Sequence, residues 1–578
     1  MPPRRAAFVE TLLVGGLYLL LTAFLSRGMW SATRPVLVGF DNDVYINPWA
    51  DWWTEKALTD PDLSLWHTDY LFYPRGADLT YHSFSHLNTA VSLLLRPLLG
   101  RIRAYNVAIL LNYPLAALAM YQLARYWTGS RRAAVIAGII FAFNSHSLYQ
   151  SCHPVLVSIW CFPWTTLYLL RALRENRPRL AAVAAIFVFL GAATSTILLF
   201  MLILWSGFLL LYLLLAREWS RSWWRILLIY VALSGLLVLP LTAHQLAQAF
   251  GAGNTNFLIS PLNSIVSDLI APLLPHWFVW LKRGLYFGII PTALAWLARK
   301  QSPRSRLWYW LLLVAYLLGI GPVPTLLGSN LNVVLPWSTI LVPILRNTYR
   351  LNILLGLALA MLAALGWQTL QQQIRQPRLA WVVWGVTLLL LGADYLPLPM
   401  PRAPAQVSEF YTTYLADVPA DVPLATLPVG RQVDKYYLYY QTYHQHSITG
   451  GVISRAGINT FAFIDNNPLL AASRLDDGRP LPTPAAARAG VEQLARQGVG
   501  FLVIARTAVP LEPADYEFDA AAWEKLIPLP PVFADAYLVA YDLRPLATTI
   551  HENGRQTAGG QRFSGERLAR PARYGRAY

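Results

Sequence analysis

An α-helical polytopic membrane protein with a C-terminal α/β domain is the fold class this sequence predicts, and three observations predict it. Of 578 residues, 56% are hydrophobic and only 13% charged, against about 25% charged in ordinary soluble chains. Apolar runs of roughly 20 residues, the length that crosses a hydrocarbon core, recur through the first two thirds of the chain. The short gaps between them carry many of the 46 Lys+Arg that, against 30 Asp+Glu, give a formal charge of +16. In a soluble chain that charge would suggest nucleic acid. Arginines placed between apolar runs instead mark one side of a membrane, so no nucleic-acid partner is expected.

The runs place about eleven spans near 8–25, 105–125, 133–150, 155–172, 180–197, 198–216, 226–243, 284–298, 307–325, 350–370 and 379–396. The uncharged stretch from Leu180 to Ala216 is too long for one crossing, and Gly191–Ser195 supplies a turn. Met1–Arg5 and the apolar run behind it read as an uncleaved first span. With these spans, Arg4 and Arg5, Arg125 to Arg132, Arg171 to Arg179, Arg217 to Arg225, Arg299 to Arg306 and Arg375 to Arg378 share one side, the cytoplasmic one. An odd span count puts the C-terminal region outside, with the long segment 26–104. The short run Leu87–Gly100, flanked by Arg96, Arg101 and Arg103, reads as an interfacial or re-entrant helix.

Residues 1–397 thus form a transmembrane domain with a large first outer loop at 26–104, and 398–550 an extracytoplasmic α/β domain. In the latter, Val418–Arg455 looks like strands and turns, Gly490–Gln497 helical, and Gly500–Ala505 and Tyr537–Tyr541 like strands. The arginine- and glycine-containing stretch 551–578 reads as a basic disordered tail. Cys152 and Cys161, the two cysteines, cannot build a disulfide framework and are expected to be spectators.

The chemistry concentrates after the first span, where Asp41 and Asp43 flank Asn42 ahead of Tyr45, Trp49, Trp52 and Trp53. Two carboxylates one residue apart can act as a general base with its orienting partner, or share a divalent cation such as Mg or Mn. They can equally form a solvated turn; Tyr45 and Trp49 are candidate substrate-binding residues, since aromatic rings can lie over an extended lipid or sugar face, and the tryptophans can equally form an interfacial aromatic belt. His82, His86, His146 and His153 raise the question of zinc, but no ligand pattern fixes a geometry. Arg346 and Arg350, four apart at the mouth of the tenth span, would lie on one helix face as a phosphate-binding pair or as anchors to lipid headgroups. In the outer domain Tyr439, Tyr440, Gln441, His444 and, beyond Gly450 and Gly451, Arg455 offer aromatic faces and polar groups suited to a sugar. No nucleotide-binding loop and no serine-hydrolase elbow is present.

This order of features resembles the polytopic GT-C class of glycosyltransferases, particularly its bacterial members of unassigned substrate. The resemblance runs through most of the chain: Asp41-Asn42-Asp43, the Trp-rich helix after it, Phe72-Tyr73-Pro74 with Gly76, Arg346 with Arg350, and Tyr439 to Arg455. It implies transfer of a sugar from a polyprenyl-phosphate donor to an acceptor glycan, lipid or protein on the outer face. It places the base or metal ligand on Asp43 or Asp41. The Asp-Glu pair of protein mannosyltransferases and the acceptor motif of oligosaccharyltransferases are absent, which leaves the acceptor open. The rival expectations are a transporter or flippase for lipid-linked sugars and a non-catalytic envelope-assembly protein. Spans nearly free of central charges, and the lack of an internal repeat, favour surface chemistry over transport.

Overall fold

The computed structural model of the chain describes residues 3–39, 42–250, 268–270, 286–327, 329–345, 347–395, 400–457, 459–475, 478–506 and 518–550. Each of the eleven predicted spans meets a helix. Among the described residues seven segments are long and apolar enough to cross a membrane: Phe8–Leu25, Arg101–Thr128, Pro154–Arg174, Thr196–Leu215, Trp223–Gln248, Thr348–Gln373 and Pro377–Asp394. Pro178–Thr194 and Arg306–Gly319 are apolar but shorter, as are the helices Arg131–Phe143 and Ile289–Leu297. The turn expected at Gly191–Ser195 is there, because Ser195 caps the following helix through Leu198 N at 3.2 Å and donates to Val155 O at 2.7 Å.

At the centre lies the helix Asn352–Gln373, buried along nearly its whole length. Its small residues admit neighbouring backbones closely. Gly366 faces the carbonyl of Leu294 so tightly that a methyl group there would overlap it. Gly366→Ala is therefore expected to push the two helices apart and cost about 1–3 kcal/mol, read as a lower melting temperature of the detergent-solubilised protein. An unchanged melting point would disprove this packing.

The arginine-bearing gaps gather at one end, as the sequence predicts. Glu10 accepts from Arg131 at 2.7 Å and from Arg125 at 3.3 Å, Trp127 donates to Arg304 O, the Arg174 guanidinium lies over Trp127, and Gln301 reaches Gln372. At the other end the helix His86–Leu99 buries its polar residues Asn88, Thr89 and Ser92 and exposes Leu94 (78%) and Leu98 (82%). That inverted distribution suits apolar surroundings and matches the interfacial reading of Leu87–Gly100. Thr89 Oγ1 donates to Asp51 Oδ1 at 2.6 Å and Arg96 pairs with Glu55, fixing this helix to the helix Ile46–Thr59.

The C-terminal domain holds a four-stranded sheet ordered Leu424–Leu427, Phe501–Ala505, Leu538–Asp542, Phe533–Ala534. The first pair is parallel and the others antiparallel. Ala487, Val491 and Leu494 of the helix Pro484–Arg496 belong to the core on one side of it. The expectation of strands and turns through 418–455 is corrected in part: Asp434–His444 is an α-helix. Its tyrosines favour strands locally, but pairs four apart, such as Tyr439 and Tyr443, share a helical face, and burial against the Trp-rich helix decides the outcome. Val36–Val38 pairs antiparallel with Arg402–Pro404, tying the segment 26–104 to the C-terminal domain. The tail 551–578 lies outside the described residues.

Candidate active site

Asn42–Tyr45 forms a 3₁₀ turn that leads directly into the helix Ile46–Thr59 and points Asp43 at two other segments of the chain. Its Oδ2 meets His153 Nε2 at 2.9 Å and its Oδ1 meets Lys435 Nζ at 2.5 Å. The buried ammonium of Lys435 also donates to Asn42 Oδ1 and Gln432 Oε1, both at 2.7 Å. Asn47 Nδ2 bridges Asp43 O and Cys152 O, each at 3.1 Å. Residues 42–47, 152–153 and 432–435 thus form one clamp around one carboxylate.

Burial alone would raise the Asp43 pKa, but the His153 bond and the Lys435 charge outweigh it and hold the carboxyl well below its usual range. For His153, burial opposes the charge, yet Cys152 and Asp43 at its two ring nitrogens raise its pKa well above the usual value. A depressed carboxylate contributes stability that is present above its ordinary pKa of 3.8 and lost as pH falls through the depressed value. A raised imidazole contributes stability that is complete below 6.5 and lost as pH rises through the raised value. The melting-temperature difference between wild type and Asp43→Asn is therefore expected to be largest between about pH 4 and 6.5. A flat difference across pH 3–10 would show that the pairs carry no such linkage.

Beside the clamp, two residues beyond His153, Val155 lines a cavity of about 110 Å³. Its wall brings together Trp66, Tyr81, His82, His86, Arg350 and Arg455, and no carboxylate lines it among the described residues. The Arg455 guanidinium lies over the Tyr81 ring at 5.5 Å, and Arg350 Nη1 donates to Leu345 O at 2.7 Å. Ser83 and Ser454 join hydroxyls at 2.6 Å. The upper part of the helix Trp223–Phe250 closes one side, with His244 stacked on Trp66 at 4.9 Å and bonded to Thr80 Oγ1 at 3.0 Å. Two guanidiniums on one wall can bind the oxygens of an anion such as a phosphate.

The sequence-predicted residues divide between this site and its framework. Asp43 is in the clamp, and Arg350 and Arg455 line the cavity. Asp41 and Arg346 lie outside the described residues. Arg350 lies in the 3₁₀ turn Thr348–Leu351, ahead of the helix Asn352–Gln373. Tyr45, Trp49, Tyr439, Tyr440, Gln441 and His444, expected to bind a sugar, do not line the cavity. They are packed where the segment 26–104 meets the C-terminal domain: Trp49 Nε1 donates to Gln441 Oε1 at 2.6 Å, Tyr45 to Pro404 O at 2.7 Å and Tyr439 to Ala405 O at 3.0 Å. Tyr440 stacks on Tyr411 at 5.0 Å, and buried His444 accepts from His446 N.

The two histidine-bearing segments do not meet as a zinc site among the described residues. His86 opens a helix whereas His82 lies in the preceding loop, and His146 stacks on Phe287. Among the described residues no three His, Cys, Asp or Glu side chains gather as ligands. A divalent ion does not fit Asp43 either, since nitrogen groups, one of them an ammonium, meet both of its oxygens. Cys152 and Cys161 are buried and not joined in a disulfide, and Cys152 Sγ lies 3.1 Å from His153 Nδ1.

Lys435 was the functional residue least visible in sequence. One signal pointed to it: the chain has five lysines, Lys56, Lys282, Lys300, Lys435 and Lys525, and otherwise uses arginine for its cations. A lysine set among tyrosines is then out of pattern.

No protein-family model matches the sequence, and no curated protein matches it significantly. Solved structures do. The arabinofuranosyltransferase AftD from mycobacteria superposes with a TM-score of 0.62 at 17% identity, over 92% of this chain and 40% of that one. ArnT from Cupriavidus metallidurans bound to undecaprenyl phosphate gives 0.51 at 13% identity, over 93% and 98%. The apo oligosaccharyltransferase of Archaeoglobus fulgidus gives 0.51 at 12% identity, over 86% and 69%. The chain spans less than half the length of AftD and nearly all of ArnT. With the helical spans and the loop clamp described above, these superpositions establish a multi-pass membrane protein with the GT-C glycosyltransferase fold.

Proposed function

We propose that this protein transfers a sugar from a polyprenyl-phosphate donor to an acceptor hydroxyl on a glycan, lipid or protein at the outer face of the cytoplasmic membrane, with the 398–550 domain extracytoplasmic. The observation that carries the reading is the cavity whose wall brings Arg350 and Arg455 together and which Val155, two residues from the clamp's His153, also lines, at the end opposite the arginine-bearing gaps. Its fold is shared with an enzyme solved in complex with undecaprenyl phosphate. The positive-inside rule makes the arginine end cytoplasmic and the cavity end external.

In this reading the acceptor oxygen attacks the anomeric carbon as the bond from that carbon to the phosphate oxygen breaks. The electron pair leaves with the phosphate, where Arg350 and Arg455, with Arg346 as the sequence-based third cation, stabilise the growing charge. The acceptor proton passes to the Asp43 carboxylate, which His153 and Lys435 keep ionised and aimed. A depressed pKa makes Asp43 a weak base at rest. It takes the proton late, once bond formation has made the hydroxyl acidic. A single displacement of this kind inverts the anomeric centre. No step is routed through a metal ion.

The test is purified protein in lipid discs, given undecaprenyl-phosphate-linked sugars and candidate acceptors, with release of undecaprenyl phosphate as the readout. Movement of intact donor across a bilayer, with no release in the presence of any acceptor, would replace this reading with that of a flippase.

A further inference from the structure

Three arginines border one cavity at the end of the membrane domain away from the arginine-bearing gaps. The segment Phe8–Leu25 runs to that end from Glu10, which pairs with Arg131, and Arg101–Thr128 runs from Arg101 back to Arg125 beside Glu10. The residues after Leu25 and those around Arg101 therefore meet there. Between them lies a cavity of about 450 Å³ whose wall includes Trp30, Arg34, Arg101, Arg103, Asn106 and Tyr443. Among the described residues no carboxylate lines it, and it shares no lining residue with the cavity of Arg350 and Arg455.

Two of the guanidiniums are held along one edge by neutral groups. Arg101 Nη1 donates to Thr442 O at 2.7 Å and to Thr442 Oγ1 at 2.9 Å, with the Tyr443 ring 5.2 Å away. With the Gln406 amide turned so that both side chains are satisfied, Arg34 Nε and Nη1 donate to its carbonyl oxygen at 3.2 and 3.3 Å. Glu55, an acid that acts on Arg101 at longer range, is itself paired with Arg96. Arg101 Nε and Nη2 make no further bond among the described residues and are not buried, and Arg34 and Arg103 are exposed. Like charges around one space repel, and an anion placed between them removes that cost. Guanidinium forks match the oxygens of a phosphate.

The apolar surroundings indicate where the phosphate comes from. The helix His86–Leu99 joins the cavity wall at Leu99 and Gly100. It exposes Leu94 and Leu98, and Trp30 of the wall is 47% exposed. Large apolar side chains bared beside cations at a membrane face suit acyl chains attached to a charged headgroup, whereas a phosphate ion in water has no use for them. We propose that the cavity of Arg34, Arg101 and Arg103 binds the phosphate headgroup of an anionic membrane lipid, at a second lipid site apart from that of the donor. Such a lipid joins separate parts of the chain. Arg34 follows the first span, Arg101 and Arg103 open the segment Arg101–Thr128, and Thr442 belongs to the helix that carries Lys435 of the clamp. Occupancy therefore stabilises the joint between the membrane domain and the C-terminal domain.

The probes are phosphatidylglycerol, a diacylglycerol with the same chains, and inorganic phosphate, titrated against the detergent-solubilised full chain by native mass spectrometry and by melting temperature. Wild type is expected to bind phosphatidylglycerol saturably, to melt higher with it, and to bind it at least about 10-fold more tightly than the diacylglycerol. Arg103→Gln is expected to weaken this binding about 10-fold and Arg34→Gln/Arg103→Gln about 100-fold, as for one and two charge-assisted hydrogen bonds. Without lipid, Arg103→Gln should melt as wild type does, since its side chain is exposed. Arg350→Lys, which alters the donor cavity, should leave the Arg103-dependent binding as it is.

Wild-type affinity in both variants, no saturable binding, or equal affinity for phosphatidylglycerol and the diacylglycerol would overturn the site. Inorganic phosphate that displaces the lipid at comparable concentration would overturn the assignment to a lipid. Loss of the binding in Arg350→Lys would place the lipid in the donor cavity instead, and an Arg103→Gln protein that melts several degrees lower without lipid would make that arginine part of the framework; either result overturns the proposal.

Discussion

Asp43→Asn is expected to reduce sugar transfer by about 10²- to 10⁴-fold, the range for loss of a general base, with donor affinity close to that of wild type. Asparagine keeps the size of the side chain but cannot accept the acceptor proton. It also leaves the buried Lys435 ammonium with Asn42 Oδ1 and Gln432 Oε1 as its remaining strong acceptors. A stability loss of about 1–3 kcal/mol therefore accompanies the substitution, more than an isolated surface carboxylate would cause. The two effects are separated by measuring turnover at a temperature where both proteins are folded and comparing it with the double variant Asp43→Asn/Lys435→Met, which removes the stranded charge. Restored stability without restored transfer fits the proposed base. Full turnover in the single variant would remove Asp43 from the chemistry.

The second large effect is expected at Arg350. Arg350→Lys keeps the charge but loses the planar fork, and one arm of that fork is already fixed by the bond to Leu345 O. An ammonium cannot hold that carbonyl and a phosphate oxygen in the same geometry. Because the phosphate gains charge only as the sugar departs, turnover should fall about 10- to 100-fold while donor affinity changes little. Single-turnover release of undecaprenyl phosphate beside a donor titration measures the two separately. Equal losses in both would mean that Arg350 binds ground and transition states alike, and unchanged turnover would return it to holding the turn at Thr348–Leu351.

The membrane domain was legible because apolar length and arginine placement are local properties written into consecutive residues. The strands Phe501–Ala505 and Leu538–Asp542 were equally visible, each a short apolar run bounded by turn residues. The helix Asp434–His444 was not, because tyrosine favours strands in isolation and only the neighbouring tryptophans, almost four hundred positions away, make a helical face the better fit. The same distance explains the site. Asp43 could be picked out as a candidate, but its partners His153 and Lys435 become meaningful only when three remote segments meet. The tyrosines, Trp49 and Gln441 drew attention as sugar-binding chemistry for the same reason that they make a good internal seam: both uses want broad rings with a polar tip.

The pairing of Val36–Val38 with Arg402–Pro404 also bears on biosynthesis. The segment 26–104 leaves the ribosome hundreds of residues before the strand that completes it, and every span in between must be inserted during that interval. Until Arg402–Pro404 arrives, Leu37 and Val38 lack that cover and Asp43 lacks Lys435. A chain arrested after its last span would therefore be threaded correctly in the bilayer yet display an unpaired strand edge and an unclamped carboxylate, features by which quality-control proteases could tell it from finished protein. The clamp is in this sense completed only after the last span has been made, so a nascent copy lacks it while its membrane segments are being inserted.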